Sequence, residues 1–122
     1  MARATSLFHA TLPVDDLARA EEFYRDFLGI ARHSTPSPFP DRVVFLDLGN
    51  TMVHLVLRRE DTPRIDPRSV HIAIEVDDLD ALYEAAKRQG VALQSEAIVE
   101  RPDFRCFFFL DPDNNRIELT QH

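Results

Sequence analysis

Four residues of this sequence, His9, His54, His71 and Glu118, combine the side-chain types that a divalent transition metal needs. Neutral imidazole nitrogens and a carboxylate oxygen offer lone pairs that a borderline cation accepts. Their setting repeats. His9 lies in Phe8-His9-Ala10-Thr11-Leu12-Pro13-Val14, and His71 in Val70-His71-Ile72-Ala73-Ile74-Glu75-Val76. Both blocks run on into Asp-Asp-Leu, with each histidine six residues before the first aspartate. Further on, Phe45-Leu46-Asp47 leads to His54-Leu55, and Phe109-Leu110-Asp111 leads to Glu118-Leu119 at equal spacing. Two matched blocks in the same order mark an internal repeat, residues 7–58 and 70–121, within one domain spanning 1–122.

Each copy must supply strands that aim these side chains. Alternation of Phe8, Ala10, Leu12 and Val14 against His9, Thr11 and Pro13 predicts a strand with the histidine on the less apolar face. His71 stands the same way against Val70, Ile72, Ile74 and Val76. His54 and Glu118 lie between apolar neighbours in later strands and share that face type. A lone histidine in such a strand is more often a packed cleft residue than a ligand, and an isolated glutamate is often solvated. Equivalence of position in two copies is what core filling does not require. A pseudo-twofold arrangement of the copies would bring all four to one point.

After each first strand a helix is expected. Asp15 and Asp77 are candidate N-caps, and Gly29 and Gly90 candidate left-handed ends. Ala20, Phe23, Tyr24, Phe27 and Leu28 fall at helical spacing, as do Leu79, Leu82, Tyr83 and Ala86. Shorter strands are expected near 30–34, 42–48 and 51–58, and near 91–99, 104–110 and 115–121. Gly49-Asn50 and Asn114-Asn115 are expected to turn the hairpins.

Two further residues are placed to meet a substrate. Thr11 faces the same way as His9, and Arg58 follows His54 by four in the same expected strand. Arg101 and Arg105 are weaker candidates. His33 and His122 lack a repeat partner and read as surface residues, and Cys106 reads as packing in an aromatic strand.

Composition narrows the class. With 122 residues, 44% hydrophobic and 29% charged, the chain suits one folded domain. Its 14 Lys+Arg against 21 Asp+Glu give a net charge of −7, which argues against a nucleic-acid partner. One cysteine allows no intrachain disulfide and fits a reducing compartment. No apolar run approaches the ~20 residues of a membrane span. The expectation is a cytoplasmic protein with no membrane partner.

The His9 strand, Val14-Asp15-Asp16-Leu17, Phe23-Tyr24 and Leu28-Gly29 resemble the opening of vicinal oxygen chelate proteins. His71-Ile72-Ala73-Ile74-Glu75-Val76 and Phe109-Leu110-Asp111-Pro112-Asp113-Asn114-Asn115-Arg116-Ile117-Glu118-Leu119 resemble their second half. That superfamily includes glyoxalase I, bleomycin-resistance proteins, extradiol dioxygenases, methylmalonyl-CoA epimerase and fosfomycin-resistance enzymes. The resemblance implies an α+β fold, with paired βαβββ modules forming a curved mixed-sheet cup and helices on the outer face. It also implies a homodimer and one divalent transition metal (Zn, Ni, Co, Mn or Fe). His9, His71 and Glu118 fall on the family's recurrent ligands, while His54 falls where glyoxalase I has a glutamate and the epimerase a glutamine. That exchange would leave the centre with a net positive charge and one fewer carboxylate base. Pro13 stands where many glyoxalase I members carry a glutathione-binding arginine.

The resemblance leaves three functions open. The first is a lyase or isomerase acting on a small substrate with vicinal oxygens by metal-stabilised enolate chemistry. Glu118 or His54 would then be the ligand that doubles as base. The second is a non-haem iron extradiol-type dioxygenase, in which His54 would act without coordinating. The third is a non-catalytic drug-binding protein of the bleomycin-resistance kind, for which an acidic chain suits a cationic drug.

Overall fold

The computed structural model describes residues 1–122 and divides them into two halves with one plan. The first half runs β1 (His9–Val14), α1 (Leu17–Leu28), β2 (Val43–Asp47) and β3 (Met52–Leu57). The second runs β4 (His71–Glu75), α2 (Leu79–Gln89), the short β5 (Ala92–Leu93) and β6 (Val99–Glu100), β7 (Arg105–Leu110) and β8 (Arg116–Gln121). β1 pairs parallel with β3, which pairs antiparallel with β2. In the second half β4 pairs parallel with β8, and β8 antiparallel with β7. No helix is long and apolar enough to cross a membrane.

Several local features differ from the sequence expectation. The helix caps are Asp16 and Asp78, one residue beyond Asp15 and Asp77; their side chains accept from the amides of Arg19 and Ala81. The second aspartate of each pair is the one that can reach an amide three residues on. Gly29 and Gly90 close the helices at φ 68° and 70°, a region that costs a Cβ-bearing residue. The strand expected near 30–34 reduces to one bridge, Arg32 to Leu46, before the Pro36-Ser37-Pro38 stretch leads the chain away. The stretch near 91–99 forms only β5 and β6, separated by a polar bend.

The hairpin turns differ by one residue between the halves. Asp47 pairs with Met52, but Leu110 pairs with Arg116, so the second turn is longer by one. Phe45 is therefore the counterpart of Phe108, opposite Glu118, and not of Phe109. Leu46 and Phe109 both turn inward and are fully buried.

The halves are joined through their apolar sides. Phe23 and Phe27 on α1 meet Phe109 on β7, with ring centroids 5.9 and 5.4 Å apart. Around this contact Asn115 donates to the Pro13 carbonyl at 2.9 Å, and the Asp15 amide donates to Asp113 at 2.9 Å. The two sheets are not hydrogen-bonded to each other, so β1 and β4 are both edge strands.

Candidate metal centre

In the first half β1 and β3 place two imidazoles face to face. Thr11 is the ladder partner of His54, which puts His9 one pleat away on the same face. The His9 and His54 rings stack at 3.7 Å with planes 12° apart. Phe45, opposite His54 on β2, stacks on its other side at 4.1 Å. Nδ1 of His9 and Nε2 of His54 are buried and have no hydrogen-bond partner. Leaving such groups unpaired costs about 1–3 kcal/mol each, which a shared ligand would recover. Burial, and then the neighbouring His9, holds the His54 imidazole below its usual pKa, so its neutral, lone-pair form is favoured.

The second half repeats the arrangement with one substitution. Ala73 is the ladder partner of Glu118, as Thr11 is of His54. His71 Nε2 and Glu118 Oε1 lie 3.2 Å apart. Phe108 sits opposite Glu118, its ring edge-on to His71 at 5.5 Å.

The structure thus brings the expected ligands together in twos. Within one chain no group of three or more His, Cys, Asp or Glu side chains is close enough to hold a metal ion. Inside a single chain the four side chains stay in two pairs, and the halves meet through α1 against α2, Phe109 and the β7–β8 turn. His9, His54, His71 and Glu118 nonetheless suit a divalent transition metal in donor chemistry. The unpaired nitrogens of His9 and His54 are the observation that supports the fit.

The other candidates separate. Thr11 is exposed and borders a small cavity with His71 and Arg116. Arg58 lies just past the end of β3, donates to Asp15 at 3.0 Å and to the Thr62 carbonyl, and is not free on the site face. Arg105 is held by Asp80 and Glu100. Burial pushes the Cys106 thiol up, consistent with packing rather than reactivity. His122 pairs with Glu75 at 2.7 Å.

Two residues near the site escape the sequence reading. His33 shares a pocket of about 340 Å³ with Phe8, Phe45, Thr51 and His54; it lies in irregular chain, where strand periodicity says nothing. Arg116, at the start of β8, lies over the Phe108 ring at 4.1 Å. Its position two before Glu118 was the available signal.

The sequence model of the Glyoxalase/Bleomycin resistance protein/Dioxygenase superfamily matches residues 6–119. The chain belongs to this superfamily. Two curated relatives are enzymes by name. A lactoylglutathione lyase of Neisseria meningitidis is 32% identical over 124 residues, covering 94% of this chain and 89% of the relative. The glutathione transferase FosA of Serratia marcescens is 28% identical over 118 residues, covering 93% and 79%. A solved glyoxalase family protein of Bacillus anthracis superposes with a TM-score of 0.80 at 21% identity, covering 100% of this chain and 98% of that one. This superfamily member therefore has the paired α+β architecture of its relatives.

Proposed function

We propose that the protein is a metal-dependent lyase or isomerase that works as a homodimer on a small substrate with two neighbouring oxygens. Residues 1–122 act as one domain. His9 and His54 of one copy, with His71 and Glu118 of the other, would hold one divalent transition metal. The observation that carries this reading is the shared register: the same ladder position sets His54 against Thr11 and Glu118 against Ala73. The half-sites are built alike, and each includes an edge strand, β1 or β4, whose unpaired backbone groups a second copy can approach.

When bound, the metal supplies Lewis acidity toward the two substrate oxygens. His54, favoured as the neutral imidazole, keeps a lone pair available at neutral pH. Glu118, 3.2 Å from His71, would take a proton from the substrate carbon next to a carbonyl. Phe8 and Phe45 border the pocket beside His54 and would give a substrate an apolar wall there.

The test is metal content of untagged protein, followed by titration of wild type, His54→Gln and Glu118→Gln at one pH and ionic strength. Glu118→Gln is expected to weaken metal more, because Glu118 is the only charged member of the donor set. Equal affinity for all three contradicts the reading. Iron as the native metal would favour the dioxygenase instead.

A further inference from the structure

Arg116 stands on β8 two residues before Glu118, so the two side chains leave the same face of the strand. It is the ladder partner of His71. Its guanidinium carbon lies 4.1 Å from the Phe108 ring centroid, and it takes part in none of the ion pairs the chain forms. By contrast Arg19, Arg32, Arg58 and Arg105 are each held by a carboxylate. With Thr11 and His71 it borders a cavity of about 50 Å³, room for little more than one small polar group.

Stacking on a ring uses the face of a guanidinium and leaves its N–H edge free. That edge matches a carboxylate with two parallel hydrogen bonds, and a side chain already held by Phe108 loses little further freedom on binding. If packing were its whole role, an uncharged side chain would cover Phe108 as well.

We infer that Arg116 recognises a carboxylate of the substrate; joined to the vicinal-oxygen chemistry proposed above, on which this narrowing rests, that makes the substrate class a small 2-oxo or 2-hydroxy carboxylate. Its apolar end would lie in the pocket bordered by Phe8 and Phe45; that part rests on the two-chain metal site proposed above. The contact between Arg116 and the carboxylate does not depend on it.

The experiment compares binding of phenylpyruvate and its methyl ester, a pair that differs in charge and not in skeleton, by calorimetry. Zinc-loaded and metal-free wild type, Arg116→Gln and Arg116→Lys are measured, with zinc affinity determined alongside. Wild type is expected to favour the acid. Arg116→Gln should shrink the acid-to-ester affinity ratio about tenfold or more, as loss of a charged hydrogen bond does. Any pull of zinc on the carboxylate is common to both proteins and cancels in that comparison. Arg116→Lys should restore part of the ratio, and zinc affinity should be unchanged in both variants. An unchanged ratio in Arg116→Gln, or no measurable binding of the acid to wild type, overturns the inference. Failure of wild type to bind zinc contradicts the metal reading instead, and the metal-free ratios then decide the role of Arg116.

Discussion

The Tyr24 hydroxyl on α1 donates a 2.6 Å hydrogen bond to Asp111, tying the two halves of the chain together inside the core. Asp111 is buried, and burial pushes its carboxyl pKa up despite hydrogen bonds from Tyr24 and Asn115. The folded state therefore holds this proton to higher pH than the unfolded chain does. Stability from this group falls as pH rises from the ordinary carboxyl pKa through the raised one.

Tyr24→Phe should accordingly cost about 1–3 kcal/mol at neutral pH, since it leaves a buried carboxylate short of a donor. The cost should shrink as pH falls through the titration of Asp111, because the protonated carboxyl needs the donor less. Denaturant unfolding at several pH values checks this. A cost that grows on acidification contradicts the assignment.

Phe27 packs on Phe23 and on Phe109 of the other half, and is 5% exposed. Phe27→Ala should cost ~3–5 kcal/mol, with unfolding still in one transition because the residue belongs to a core shared by both halves. A loss under about 1 kcal/mol would show that α1 does not bridge the halves.

The cap positions give a separable pair. Asp16→Ala should cost about 0.5–2 kcal/mol, since it removes the acceptor for the Arg19 amide. Asp15→Ala should cost less, because its carboxylate forms exposed ion pairs with Arg58 and Arg64 and its amide bond to Asp113 survives. The reverse order would restore Asp15 as the cap.

Much of this fold was legible because two different periodicities agree. Alternation in β1 and β4 set His9 and His71 apart from the apolar side, and the repeated Asp-Asp-Leu located both helices to within a residue. The one-residue slip between Phe45 and Phe109 arose because hairpin length is decided by the turn, and the longer Asp111–Asn115 turn is held by its own side-chain network. The direction of Arg58 is not legible in the sequence because β3 ends at Leu57, where strand periodicity stops. The pairing of His9 with His54, and of His71 with Glu118, follows from local registers. How the two halves meet depends on which side of α1 finds Phe109, a long-range choice that strand alternation does not encode.

The most direct test is complementation between two defective chains. One carries His9→Ala and His54→Ala, the other His71→Ala and Glu118→Gln, and each alone is expected to bind metal poorly. If every site takes one half from each copy, a mixed dimer contains one intact site, formed by the sound halves of the two chains. Unfolding and refolding the chains together, then measuring metal bound to the purified dimer, should recover high-affinity binding that neither parent shows. A refolded mixed dimer as poor in metal as its parents would contradict the two-chain centre.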